Sequence, residues 1–171
     1  MYYFLVIMLI FWGLFVKTRK TIYDSIAIFF MGFIVLTSIG DADFASYKVA
    51  YDLIGSGVEY DSLGVGWEFL CKIGNLIRLD YSQFKCVVLI LSILMIRSTV
   101  QIYVKDKKTS AMVWALYLVY PMLLDCVQIR FFLAQSIVIF GIRYLTKGGI
   151  ANYLKYAVFV GIAYLFHSTS V

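Results

Sequence analysis

The sequence predicts an all-α, polytopic transmembrane bundle of about six spans, with an amphipathic helix at the outer interface. Three observations carry that prediction. The 171 residues are 63% hydrophobic and 15% charged, with one proline, whereas a soluble domain is roughly 45–50% apolar and about 25% charged. Apolar runs near the ~20 residues that a bilayer-crossing helix needs recur along the whole chain. Basic and acidic residues fall in alternate connections, as the positive-inside rule requires. The same composition excludes intrinsic disorder, collagen and a disulfide scaffold. Residues 1–171 read as a single membrane domain. The net charge of +5 marks cytoplasmic loops and not a nucleic-acid surface, so no nucleic-acid partner is expected.

Residues 1–16 form the first span, followed by Lys17-Thr18-Arg19-Lys20. A signal peptide carries its charge before the apolar stretch. Here the order is reversed, so the first helix is expected to be retained with its N-terminus outside. The second span covers 21–40. Thr21 with Asp24 three residues later resembles a capping box, which makes Asp24 a structural first-turn acid.

Residues 41–83 form the extracytoplasmic loop. Its first part, to about residue 66, sets Asp41, Asp43, Asp52, Glu59 and Asp61 against one base, Lys48, and holds four glycines. Trp67 to Leu79 mixes apolar residues with Glu68, Lys72 and Arg78, the pattern of a helix lying at the interface. Asp80-Tyr81-Ser82-Gln83 reads as a helix start. The third span is 84–104, closed by Lys105-Asp106-Lys107-Lys108. The fourth is 110–124, with Pro121 near its far end. The fifth is 127–145, broken by Thr146-Lys147-Gly148-Gly149. The sixth, 152–171, is still apolar at Val171, so a chain truncated at its C-terminus is expected.

Segments 17–20, 105–108 and 143–155 hold nine of the fifteen bases and one of the ten acids. Segment 41–85 holds seven acids and four bases. The first three therefore face the cytoplasm and the last faces out. Six alternating spans satisfy this without conflict.

Charge inside hydrocarbon is costly, so each instance needs a reason. Arg97, Asp125, Arg130 and His167 stand out. At ~1.5 Å per residue, Arg130 lies about 22 Å above the cytoplasmic end of its span and His167 about 21 Å above its own. Both fall in the outer third of a core about 30 Å thick. Asp125 sits at the outer mouth of the same hairpin, and Asp41 and Asp43 lie where the second span emerges. Each also has a structural reading. Arg130 snorkels outward or pairs with Asp125. His167 is a hydrogen-bonded bundle histidine. Asp41 and Asp43 are solvated loop acids. Arg97, seven residues from the inner boundary, snorkels. The cysteines Cys71, Cys86 and Cys126 are odd in number and form no CxxC pair, so they read as small apolar filler. A single histidine excludes a His-rich metal site.

Four patches resemble the EpsG family, Wzy-like polymerases of bacterial exopolysaccharide, capsule and O-antigen repeat units. Asp43-Phe44-x-x-Tyr47-x-x-x-Tyr51 is similar to the family's Asp-Tyr-x-x-Tyr-x-x-x-Tyr signature. Gly66-Trp67-Glu68-Phe69-Leu70 resembles its Gly-aromatic-x-x-Leu segment. Gln128-Ile129-Arg130-Phe131-Phe132-Leu133-Ala134 resembles its Ile-Arg-Gln-x-x-Ala motif. Ile162-Ala163-Tyr164-Leu165-Phe166-His167-Ser168 resembles its Ala-x-x-Phe-His-x-Ser motif. The patches occur in the family's order. Three departures are present. Phe131 replaces the common Gln, Thr37 to Gly40 carry no base, and Gly64 stands where Glu is common, with Glu68 following instead. Family members are about twice this length, so the chain resembles an N-terminal half and is expected to be inactive alone.

The resemblance implies a glycosyltransferase in the bacterial cytoplasmic membrane. It joins undecaprenyl-diphosphate-linked oligosaccharides at the outer face, in contact with membrane lipid and other polysaccharide assembly proteins; no cofactor is expected, and no ligand cluster in the sequence argues for a metal. A sugar hydroxyl attacks an anomeric carbon and undecaprenyl diphosphate leaves. Arginine binds phosphate bidentately and stays charged, which suits Arg130. The base is His167 or Asp43. Tyr47 and Tyr51 stack on or hydrogen-bond the sugars. Asp41, Glu68, Gln128 and Ser168 complete the implied substrate contacts. The other readings are a transporter or flippase of a polyprenyl-linked or anionic substrate, a membrane acyltransferase, and a non-catalytic assembly subunit.

Overall fold

The computed structural model describes residues 2–37, 43–58, 63–119 and 121–167. Among them are nine α-helices and no strand: α1 (Tyr2–Phe15), α2 (Lys20–Thr37), α3 (Phe44–Gly55), α4 (Val65–Leu76), α5 (Tyr81–Tyr103), α6 (Lys107–Val119), α7 (Pro121–Val127), α8 (Ile129–Leu145) and α9 (Ile150–Phe166). The all-α class is as the sequence predicts. The span count is not reproduced by helix length. Among the described residues, only α5 is long and apolar enough on its own to cross a membrane. α6 and α7 pass the same test only as a pair, bent by 52°. Pro121 opens α7, where a residue without an N–H costs nothing. At ~1.5 Å per residue, α1, α8 and α9 reach only about 21–26 Å.

The segment 41–66, read from sequence as a polar loop, contains α3. Phe44, Tyr47, Tyr51 and Ile54 recur at steps of three and four and make one apolar stripe. Lys48 and Asp52 pair at 2.6 Å on the exposed side. The stripe seats α3 on an aromatic cluster. The Phe44 ring lies 5.1 Å from Tyr81, Tyr51 4.9 Å from Phe84, Tyr47 6.1 Å from Trp67, and Trp67 5.5 Å from Phe84. Edge and tilted contacts of this kind add to the burial of the rings. α3 and α4 thereby rest on the start of α5. That start is fixed by a capping box: Asp80 accepts from the Gln83 N–H at 2.9 Å, and the Gln83 side chain accepts from the Asp80 N–H at 3.1 Å.

Asp24 has a different role from the one its spacing suggested. α2 begins at Lys20, which puts Asp24 beyond the first turn. Its carboxylate is buried, pairs with Lys20 at 2.7 Å, and accepts from Ser110 at 2.6 Å and the Trp114 indole at 3.2 Å. It ties α2 to α6. Next to Asp24 on α2, Ser25 accepts from Arg97 at 3.1 Å, and Arg143 donates to Ser98 at 2.6 Å and Thr99 at 3.2 Å. α8 packs along both α9 and α5, α1 lies on α6, and α4 reaches α9.

Candidate active site

The cavity that gathers the sequence-singled residues sits where α4, α8 and α9 meet. Its volume is about 320 Å³, and it is lined by residues 63–65, Arg130 and residues 164–167. Arg130 and His167, which helix rise alone put at one height, thus share one cavity.

Glycine makes the junction possible. Gly64 takes φ +84°, a conformation that L side chains rarely adopt, and a Cβ there would stand 3.0 Å from the Leu165 carbonyl oxygen. A Cβ on Gly66 would come within 2.9 Å of the same oxygen. The close approach of residues 63–66, the turn and first residues of α4, to the end of α9 therefore depends on two missing side chains. α9 ends at that point: His167 is extended at φ −157° and ψ 111°, with its N–H on the Ala163 carbonyl. The Phe131 ring meets the imidazole edge-on, with centroids 5.6 Å apart.

Arg130 opens α8 and is held from two sides. Its Nε–H donates to the Tyr47 hydroxyl at 3.1 Å, and Nη1 donates to the Leu63 carbonyl at 2.7 Å. The guanidinium carbon lies 5.4 Å from the Tyr47 ring centroid, within cation–π range. Among the described residues no carboxylate lies within ion-pair distance of Arg130. Asp125, the partner in one of the two structural readings of Arg130, instead accepts from the Tyr117 hydroxyl at 2.7 Å. Nη2 makes no hydrogen bond among the described residues. Among the described residues the group is thus a braced cation with donors unspent.

The remaining predicted residues are dispersed. Asp43 is the N-cap of α3, and its side chain makes no cap bond. It lies one turn before Tyr47, so the two share a face, but it does not line the cavity. Tyr51 is buried, and its hydroxyl donates to the Leu79 carbonyl at 2.8 Å. Burial pushes that phenol up to about 12, with Cys71, Asp52 and Asp80 adding to the shift. Tyr51 thus belongs to the α3–α4–α5 scaffold, away from the cavity. Glu68 pairs with Lys72 at 2.6 Å. Its carboxylate and the Arg130 guanidinium both bear on the Cys71 thiol, which burial pushes up to about 12. Gln128 is exposed at the N-cap of α8. Asp41 and Ser168 lie outside the described residues.

Sequence reasoning missed the Leu63 carbonyl and Tyr164. The Gly64-x-Gly66 spacing was the available signal, since paired glycines mark a close backbone approach. Among the described residues, no three His, Cys, Asp or Glu side chains group so as to hold a metal ion.

Residues 21–171 match the model of the EpsG family. No curated protein and no solved structure matches the chain. The family match covers most of the chain and takes in α3, the residue 63–66 approach, Arg130 and the end of α9, so this chain belongs to the EpsG family, a family of Wzy-like polysaccharide polymerases of membranes.

Proposed function

We propose that the chain forms the site at which lipid-diphosphate-linked repeat units are joined at the outer face of a bacterial cytoplasmic membrane. The observation that carries this reading is Arg130, a cation braced by Tyr47 and the Leu63 carbonyl without a carboxylate partner among the described residues. A planar fork with spare donors suits the diphosphate of a departing polyprenyl carrier. The incoming sugar hydroxyl gives its proton to the His167 imidazole as its oxygen bonds to the anomeric carbon. The anomeric carbon–oxygen bond to the diphosphate breaks, and Arg130 takes up the charge that develops on the leaving group. His167 is favoured over Asp43 as base because it lines the same cavity as Arg130. Tyr47 orients Arg130. Glu68 and Gln128 are further candidate sugar contacts, as are Asp41 and Ser168, which lie outside the described residues.

Six spans with the N-terminus outside remain the topology that fits the charge distribution. Support comes from the surface: Phe29 and Ile150 are each 79% exposed, Leu116 71% and Phe15 70%, an apolar exterior suited to lipid.

The test is polymer length in the native host with Arg130→Ala or His167→Ala at matched membrane expression. Loss of long polymer, with single repeat units still made and exported, is the expected result. Normal polymer in both variants would return the two residues to structural roles.

A further inference from the structure

A second cavity of about 460 Å³ lies below the first, bounded by α4, α5, α8 and α9. Its walls are apolar. On α8 they are Leu133, Ile137 and Phe140, which continue inward from Arg130 at steps of three, four and three. They form one stripe of the helix. At ~1.5 Å per residue, that stripe runs about 15 Å from Arg130 to Phe140. On α9 the stripe is Phe159, Ile162 and Phe166, and Phe166 lines both cavities. Phe166 is a wall common to both, so the groove adjoins the site above it. One end carries a cation that no described carboxylate neutralises, and the rest is greasy.

We infer that this groove holds the isoprenoid chain of the substrate, with the diphosphate at Arg130 and the first prenyl units between α8, α9 and α5. The inference rests on the proposed function for the diphosphate end and adds the site of the lipid end. Charge complementarity selects an amphiphile with an anionic head. Size selects its tail: a cavity of about 150 Å³ takes one six-carbon ring, so this groove suits roughly three or four five-carbon units in single file. A diacyl phospholipid would bring two chains to a slot of this size.

The test uses the whole chain, purified in lipid nanodiscs, and binding of a labelled polyprenyl diphosphate. Leu91→Trp and Ile162→Trp fill the groove from opposite walls. Both residues are on its open side, at 49% and 39% exposure, so the larger ring fits without forcing the core apart. Each variant is expected to bind the polyprenyl diphosphate at least tenfold more weakly while binding inorganic diphosphate as wild type does. Unchanged polyprenyl binding in both variants overturns the inference, as does displacement by an equal concentration of phosphatidylglycerol. A loss of self-association without loss of lipid binding would also overturn it, by making the groove a protein interface. Arg130→Ala separates the two readings. If it binds inorganic diphosphate normally while the tryptophan variants still lose the lipid, the diphosphate assignment falls and the groove stands.

Discussion

Arg130 and Tyr47 lie 83 residues apart and meet twice: the Arg130 Nε–H donates to the Tyr47 hydroxyl at 3.1 Å, and the guanidinium carbon stands 5.4 Å from the ring centroid. One contact fixes direction and the other adds attraction over the ring face. Tyr47→Phe removes the first and keeps the second. A hydrogen bond to a charged group contributes about 1.5–3 kcal/mol, so polymerisation is expected to fall roughly 10–100-fold at unchanged membrane expression. A Tyr47→Phe protein that makes wild-type polymer would show that Arg130 needs no orienting hydroxyl.

Arg130→Lys keeps the charge and loses the fork. Lysine cannot hold the Tyr47 hydroxyl, the Leu63 carbonyl and a diphosphate in one plane. Long polymer is expected to be lost nearly as completely as in Arg130→Ala. If Lys restores most of the chain length, a point charge suffices and the bidentate reading is wrong.

Gly66→Ala and Gly32→Ala form a matched pair. A Cβ at Gly66 meets the Leu165 backbone oxygen at 2.9 Å, whereas one at Gly32 meets nothing within 4 Å. Forced separation of packed elements costs about 1–3 kcal/mol, while alanine in an open helix position gains up to about 1 kcal/mol over glycine. Thermal unfolding in detergent should therefore drop for Gly66→Ala and hold or rise for Gly32→Ala. Equal behaviour would deny the close approach of residues 63–66 to α9.

The Tyr51 phenol gives a pH signature. Its folded value is raised to about 12 from an ordinary value of 10, chiefly by burial. The protonated form is the one that donates to Leu79. Its contribution is thus complete below pH 10 and is lost as pH climbs from 10 through about 12. Tyr51→Phe should cost about 1 kcal/mol at neutral pH, and its deficit against wild type should shrink above pH 10. Polymer length should survive the substitution once expression is matched. A selective loss of polymer would move Tyr51 back among the sugar contacts.

Topology is read by labelling in a cysteine-free background. Ser56→Cys, just after α3, should react with an impermeant maleimide on intact cells. Lys108→Cys, at the start of α6, should react only after permeabilisation. Reaction of both from one side would break the six-span alternation.

Much of this arrangement was legible in the residues. Asp80 and Gln83 announced the start of α5 through spacing alone. Arg130 and His167 were put at one height by helix rise, and they do share a cavity. α3 is hidden in the sequence because the acids and glycines of 41–66 dominate its composition and mask the apolar stripe Phe44–Tyr47–Tyr51–Ile54. Lateral relationships were out of reach. Nothing local distinguishes Asp125 as the partner of Tyr117 from Asp125 as the partner of Arg130, since either lies within one or two helical turns. Nor does a Tyr-x-x-x-Tyr spacing reveal that one hydroxyl faces Arg130 and the other a backbone carbonyl in the core. Those choices are made by packing between helices distant in sequence.

The approach of Gly64 and Gly66 to Leu165 has a consequence for synthesis. The two sides of the cavity are separated by about a hundred residues of chain, so contact between them is among the slowest to form. Tyr47 and Arg130 are made before α9, so their cavity has no far wall until α9 has left the ribosome. A nascent chain stalled before α9 would hold its cation open to solvent and lipid with no histidine opposite. The site therefore closes only once α9 is made, later than the helices that carry Tyr47 and Arg130.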